Sequence, residues 1–91
     1  MFDGITEKEL LQKVLKGPIH FSVISASAFY DQSIGKWKVR LITRESGIER
    51  ERFVEVKRGE IKEYNLDILA NRLSKHGIQQ ITLDLTSLYS P

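Results

Sequence analysis

The amino-acid sequence predicts a single α+β domain over residues 1–91, in which two helices pack on one face of a four-stranded sheet. Two segments repeat apolar residues at helical spacing, and two neighbouring segments alternate apolar with charged residues as strands do. With 41% apolar and 29% charged residues, the composition is typical of one globular domain. The predicted order of elements is α-β-β-β-α-β, in which the first three strands form an antiparallel meander and a fourth strand is added to it.

A first helix is predicted over residues 7–16. Thr6 and Glu9 have the spacing of a capping box at its start, and Gly17 followed by Pro18 is typical of a helix end. One apolar stripe along this helix is expected to face the core, and it consists of Leu10, Leu11, Val14 and Leu15.

Residues 19–30 are predicted to form the first strand. Their apolar positions change parity between Val23 and Ile24, which indicates either a β-bulge or burial on both faces. The residues at 31–35 that follow are typical of a turn.

A β-hairpin is predicted over residues 36–57. A two-residue turn at Ser46-Gly47 would place Glu45 opposite Ile48. Counting back from this turn sets apolar residues opposite apolar residues and acids opposite bases, and such cross-strand pairs specify a register. The predicted pairs are Val39 with Val54, Trp37 with Val56, Lys38 with Glu55, Arg44 with Glu49 and Arg40 with Phe53.

The last third of the chain predicts a helix and a final strand. Residues 60–64 fit either a short return strand or the approach to the helix. A strand at 78–85 follows the helix and can return parallel to the first strand, as an edge of the sheet. The tail at 86–91 is expected to fray, and its Leu88-Tyr89 pair is one candidate point of contact with a partner. The apolar repeat that predicts the helix is Leu66, Leu69, Ala70 and Leu73.

The composition excludes several classes of function. The chain has no cysteine, which excludes disulfides, thiolate catalysis and cysteine-based zinc sites and fits a reducing cytoplasmic location. His20 and His76 are isolated in sequence, so we expect no metal, no cofactor and no catalytic residue. No apolar run approaches the roughly 20 residues that cross a bilayer. The first residues also lack a signal-peptide pattern, so a membrane partner is not expected.

Positive charge concentrates in residues 36–58, where eight basic and four acidic residues give a net charge of +4 and leave −2 for the rest of the chain. A basic hairpin can lie along phosphates, so nucleic-acid binding is an alternative function. Arg50 and Arg52 share the parity of Val54 and Val56 and should point to the core side near the hairpin tip. Such a tip must project into solvent or meet a partner. The candidate residues for contact with a partner or with phosphate are Arg40, Arg44, Arg50, Arg52, Lys57 and Arg58.

The tripeptide Glu55-Val56-Lys57 raises a third possibility. An acid and a lysine two apart on a strand point to the same face, where they can hold a divalent metal and activate water for phosphodiester attack. Together with the order of elements, this tripeptide resembles the core of the PD-(D/E)xK nucleases. The resemblance implies a metal-dependent nuclease centred on Glu55 and Lys57, but that family also needs an acid on the preceding strand, and residues 37–43 contain none. A surface ion pair between Glu55 and Lys38 is the other interpretation.

These observations favour a small non-enzymatic binding or accessory domain that acts through protein–protein contacts, with another protein or with itself as a dimer. A sheet of four strands leaves two edges that invite strand addition or dimerisation. A domain of 91 residues also has a thin core, which gains stability from association.

Overall fold

Two helices and one mixed sheet of six strands make up residues 2–88, the part of the chain that the structure, a computed structural model, describes. The α+β class predicted from the sequence is confirmed. Across these residues, no helix is both long enough and apolar enough to cross a membrane. The elements in chain order are β1 (Gly4–Thr6), α1 (Glu7–Val14), β2 (Phe21–Asp31), β3 (Lys36–Glu45), β4 (Ile48–Lys57), β5 (Glu60–Ile61), α2 (Leu66–Ser74) and β6 (Thr82–Asp84).

The sheet is an antiparallel meander that is extended at both edges by parallel strands. β2 pairs with β3 and β3 with β4, as the sequence predicts. β1 runs parallel to β4, and β6 runs parallel to β2, so the strand order is β1-β4-β3-β2-β6, with β5 paired to β4. The final strand therefore lies beside the first predicted strand at a sheet edge, but it is limited to residues 82–84.

β1 is a strand that the sequence did not predict. Ile5 lies opposite Val54 and is completely buried. The backbone amide of Phe53 donates a hydrogen bond of 2.8 Å to the carbonyl of Asp3, just before the strand begins. Three residues with one apolar side chain contain too little alternation to be recognised in a sequence.

The first helix and the β-bulge in β2 lie where the sequence predicts them. The backbone amide of Glu9 donates to Thr6 Oγ1 at 3.2 Å, which confirms the predicted capping box. The helix ends two residues earlier than predicted. Leu15 and Leu11 are 76% and 39% exposed, so only Leu10 and Val14 of the predicted stripe pack in or against the core. The register of β2 shifts between Val23 and Ser25, which confirms the bulge interpretation of the parity change.

The β3–β4 hairpin follows the predicted register from its turn as far as the pair of Arg40 and Phe53. Arg44 lies opposite Glu49, and the predicted ion pair between them measures 2.9 Å. The half of the hairpin nearest the turn is therefore confirmed.

Beyond Phe53 the predicted pairing is wrong, because β4 there pairs with the β5 segment and no longer with β3: the amide of Lys62 donates to the carbonyl of Val54 at 2.9 Å, and Glu55 lies opposite Ile61. Trp37 pairs with Tyr64 through two backbone hydrogen bonds of 2.9 and 2.8 Å. Lys38 forms its ion pair with Asp31, at 3.0 Å. The predicted pairs that these contacts replace are Val39 with Val54, Trp37 with Val56 and Lys38 with Glu55.

The core lies between the two helices and one face of the sheet. Leu10 of α1 and Leu69 and Leu73 of α2 are each at most 2% exposed. Burial of apolar side chains at these positions is the main stabilising contribution in so small a domain. The other buried apolar residues are Ile5, Phe21, Ala26, Ala28, Trp37, Val39, Leu41, Val54 and Tyr64.

Candidate functional site

The sheet face that no helix of residues 2–88 covers is called the open face. Its side chains alternate with the core residues along each strand. It consists of Gly4 and Thr6 of β1, Ser22, Ser25, Ser27, Phe29 and Asp31 of β2, Lys36, Lys38, Arg40, Ile42 and Arg44 of β3, Glu49, Glu51, Phe53 and Glu55 of β4, and Thr82 and Asp84 of β6.

Three phenylalanines meet on the open face. The ring of Phe53 packs edge-on against Phe29, with centroids 6.0 Å apart, and against Phe2, with centroids 5.7 Å apart. All three side chains are only half-buried, so part of each ring remains accessible. Edge-to-face aromatic contacts hold such rings in place and present a rigid apolar surface.

A cavity of about 420 Å³ lies beside Phe29 and Phe53 on this face. Arg40 and Asp84 also line it, and a 3-10 turn at 86–88 forms one wall. Ser87 fastens this turn to β2 because its hydroxyl donates a hydrogen bond of 2.5 Å to the carbonyl of Tyr30. The first part of the predicted tail is thus packed against the sheet, and residues 89–91, including Tyr89 of the candidate contact pair, lie outside the described residues.

Asp84 stays ionised beside the guanidinium of Arg40. The pKa of Asp84 is lowered by hydrogen bonds from the side chain and the backbone of Thr86, and the positive charge of Arg40 lowers it further. The Thr86 amide donates to Asp84 Oδ1 at 2.9 Å. The cavity therefore has an apolar wall of phenyl rings and a rim with one positive and one negative group.

Charges on the open face are nearly balanced and are arranged in rows. Its cations lie mainly on β3 and its carboxylates on the neighbouring strands, so ion pairs join adjacent strands. Lys38 contacts Asp31 at 3.0 Å, and Arg40 approaches Glu51 at 3.9 Å. Within the described residues, the open face has the four cations Lys36, Lys38, Arg40 and Arg44 and the five carboxylates Asp31, Glu49, Glu51, Glu55 and Asp84.

The six residues predicted to contact a partner or phosphate are dispersed over the molecule. Arg40 and Arg44 lie on the open face, each beside a glutamate of β4. Lys57 lies at the far end of β4 and approaches Glu60 at 3.6 Å. Arg58 follows in the turn, and no carboxylate of residues 2–88 lies within ion-pair distance of it.

Arg50 and Arg52 point to the helix side of the sheet, as their parity predicts, and meet the N-terminal segment. Arg50 forms an ion pair of 2.7 Å with Asp3. Arg52 is only 7% exposed, lies 3.6 Å from Asp3 through its Nε, and donates from Nη2 to the carbonyl of Gly4 at 3.2 Å. Arg52 thus attaches β1 to the sheet, and its guanidinium is withdrawn from solvent.

The predicted shared face of Glu55 and Lys57 is wrong, because a β-bulge lies between them and breaks the alternation of β4. Glu55 lies opposite Ile61, whereas Lys57 lies opposite the neighbouring residue Glu60, so the two side chains point to opposite faces. Glu55 accepts a hydrogen bond of 3.1 Å from the amide of Gly59, and Lys57 approaches Glu60. Among residues 2–88 there is no group of three or more acidic or histidine side chains that is placed to hold a metal ion.

A buried polar cluster, which the sequence analysis missed, joins the two helices on the opposite side of the sheet. It consists of Glu7, Lys62, Tyr64 and His76 and is called the polar junction. The carboxylate of Glu7, whose side chain is 14% exposed, accepts a hydrogen bond from Lys62 and lies 3.1 Å from His76 Nε2. His76, which is isolated in sequence and lies just past the end of α2, contacts a carboxylate 69 residues away.

Burial and hydrogen bonding act in opposite directions on the polar junction. Burial raises the pKa of Glu7, but the hydrogen bonds from Lys62 and His76 outweigh burial and hold that pKa below its ordinary value. Burial, together with the nearby charge of Glu7, raises the pKa of the Tyr64 hydroxyl. At neutral pH the junction therefore contains an ionised glutamate and a neutral tyrosine.

Comparisons with known protein families, with curated protein sequences and with solved structures found no match. Functional arguments therefore depend on the side chains of this chain alone.

Proposed function

We propose that this protein is a non-enzymatic binding domain that acts through protein–protein contacts made by its open face, and that the partner is a second copy of the chain. The observation that carries this proposal is the aromatic group of Phe2, Phe29 and Phe53, which lies among rows of opposite charge on an uncovered sheet face.

The apolar part of the contact comes from the phenyl rings. Moving a phenylalanine side chain from water into a buried site is worth about 1.5–3 kcal/mol, and each of these rings still has accessible surface to bury. Aromatic residues surrounded by polar residues are the usual composition of an interface centre and rim. The cavity beside Phe29 and Phe53 can receive an apolar side chain from the partner.

The charge pattern favours a second copy as that partner. A dimer with two-fold symmetry places the same surface on both sides of the contact, so the surface must complement itself. Here the cations of β3 lie next to the carboxylates of β4, and a two-fold rotation can place the β3 of one copy over the β4 of the other. Each cationic row then faces an acidic row, which is the arrangement that electrostatic complementarity requires.

Nucleic-acid binding has less support from the same residues. Binding to phosphates draws its affinity from unneutralised cations that release counterions, and three of the four cations of the open face, Lys38, Arg40 and Arg44, lie within ion-pair distance of a carboxylate. A nuclease-like function has less support as well, because Glu55 and Lys57 are each engaged by a neighbouring group in the β4–β5 turn.

Sedimentation velocity over a range of protein concentrations tests the proposal. We expect the wild-type chain to shift from monomer to dimer as its concentration rises, and Phe53→Ser to weaken this shift. Ser27→Arg, which fills the cavity and removes no apolar contact, should weaken dimerisation in the same way. Ile19→Ser is the matched control, because Ile19 is 91% exposed and lies away from the open face.

A chain that stays monomeric at all concentrations would overturn the proposal, as would dimers that survive both open-face substitutions. The same measurement with an added single-stranded oligonucleotide examines the alternative. Salt-dependent co-sedimentation with the oligonucleotide would favour nucleic-acid binding instead.

A further inference from the structure

A cleft between the two helices gathers positive charge on the side of the molecule opposite the open face. This α1–α2 cleft has a volume of about 400 Å³. Lys8 approaches it from α1, Arg72 and Lys75 approach it from α2 and its end, and the polar junction forms its floor. The ionisable residues that line it are Glu7, Lys8, Lys62, Arg72, Lys75 and His76.

The charge of the cleft exceeds that of the whole chain. Four cations and one carboxylate give the cleft a net charge of +3 with His76 neutral, whereas all 91 residues together have a net charge of +2. Like charges that gather in one concave site raise the local potential and attract an anion. The remainder of the chain has a net charge of −1, so this concentration is local.

The cations of the cleft differ from those of the hairpin because most of them have no acidic neighbour. Among residues 2–88, eight cations lie within ion-pair distance of a carboxylate, and these include five of the six residues predicted to contact phosphate. The cations without such a neighbour are Lys8, Lys16, Lys36, Arg58, Arg72 and Lys75. Half of these line the one cleft.

Contacts within the polar junction hold the floor of the cleft in place. Lys62 donates to Glu7 and lies over the ring of Tyr64, with its Nζ 5.4 Å from the ring centroid. The side chain of His76 is only 8% exposed, and its Nδ1 is buried without a hydrogen-bond partner among the described residues. A buried nitrogen without a partner is unfavourable in a folded protein unless a ligand or a water molecule satisfies it.

We propose that the α1–α2 cleft binds a phosphate monoester. Arg72 supplies a planar guanidinium that can donate two hydrogen bonds to phosphate oxygens, and Lys8, Lys62 and Lys75 supply compact ammonium groups around it. A phosphate monoester is close to a dianion at neutral pH and has three strong acceptor oxygens, which suits several converging donors. Leu11, which is 39% exposed and lines the same cleft, offers an apolar contact for the organic part of the ester.

Titration with inorganic phosphate and with O-phosphoserine, followed by amide chemical shifts in NMR spectra at constant ionic strength, tests this site. We expect saturable shifts at Lys8, Arg72, Lys75 and His76, and a preference for O-phosphoserine over sodium chloride added at equal ionic strength. Arg72→Ala and Lys75→Ala should each weaken phosphoserine binding about tenfold, since charge-assisted hydrogen bonds are lost.

Lys16→Ala and Arg58→Ala are the matched controls, because each removes one unpaired cation that lies outside the cleft. These controls should change the affinity by less than about twofold, as expected for a distant screened charge. A phosphoserine-containing peptide that binds more tightly than the free amino acid would identify a peptide as the source of the phosphate, and equal binding would identify a small monoester. Absence of saturable shifts at millimolar phosphoserine would overturn the proposal, and so would equal weakening by cleft and control variants.

Discussion

Glu7 Oε1 lies 3.1 Å from His76 Nε2, so a contact between the first turn of α1 and the second residue after α2 joins segments from the two ends of the domain. Lys62 donates to the other oxygen of the same carboxylate. Glu7 thus connects three segments that no local pattern brings together.

Glu7→Gln is expected to lower the free energy of unfolding by about 2 kcal/mol at neutral pH, because it leaves two half-buried or buried donors without their charged acceptor. Urea denaturation followed by circular dichroism measures this loss. Glu49→Gln is the control, since Glu49 and Arg44 are both more than half exposed and such a pair contributes less than about 0.5 kcal/mol. Equal losses in the two variants would contradict a structural role for the polar junction.

The stability of the protein should depend on pH through the same carboxylate. The pKa of Glu7 in the folded chain is held below its ordinary value of 4.5, so the unfolded chain binds the proton more readily. The contribution of Glu7 is therefore complete above pH 4.5 and is lost as the pH falls from there through the lower pKa of the folded state. Thermal melts between pH 7 and pH 3 should show the difference between wild type and E7Q shrinking in this acidic range. A difference that stays constant down to pH 3 would show that Glu7 titrates alike in both states.

The hairpin shows how far local sequence determines tertiary pairing. Its turn needs two consecutive residues with positive φ, and Ser46 and Gly47 have φ of 53° and 79°. A two-residue turn sets the register of the strands beside it, which is why the pairs near the turn could be predicted. The pairs at the base of the hairpin could not be predicted. Trp37 pairs with Tyr64, but the alternation of apolar and charged residues fits Val56 as its partner equally well.

The candidate sites could be predicted from the sequence less well than the fold. Parity correctly placed Arg52 on the helix side, but its contact with Asp3 depends on β1, which has no recognisable pattern. The α1–α2 cleft combines Lys8 with Arg72, and residues so far apart in sequence meet only when both helices pack on the sheet. The clustering of basic residues in the sequence predicted a phosphate-binding surface on the hairpin. Half of the cations without an acidic neighbour instead line the α1–α2 cleft, which is formed by segments that are distant in sequence.

The capping box at the start of α1 offers a test of local stability. Thr6→Ala removes the oxygen that accepts from the Glu9 amide, and loss of such a cap lowers the free energy of unfolding by about 1 kcal/mol. Thr6→Ser keeps the hydroxyl and should retain most of the stability in the same denaturation measurement. If the serine and alanine variants lose equal amounts, the methyl group of Thr6 and not its hydroxyl is the stabilising part.

The buried guanidinium of Arg52 should make the N-terminal segment sensitive to the charge of Asp3. Asp3→Asn is expected to lower the free energy of unfolding by about 1–2 kcal/mol, because no carboxylate of residues 2–88 then remains within ion-pair distance of the buried guanidinium. Arg50→Gln removes only the more exposed of the two pairs and should have less than about half of that effect.

A double-mutant cycle separates the contact of Asp3 with Arg52 from its other contacts. In a chain carrying Arg52→Met, which replaces the cation by an apolar side chain, Asp3→Asn should have little further effect. Hydrogen exchange of the Phe53 amide reports on the same attachment, since this amide donates to the Asp3 carbonyl. It should exchange faster in D3N than in wild type, and Asp3→Asn should raise its exchange rate less in a chain that already carries Arg52→Met. Additive losses in the cycle would mean that β1 is held by its backbone pairing and by burial of Ile5, with no coupling between the two charged groups.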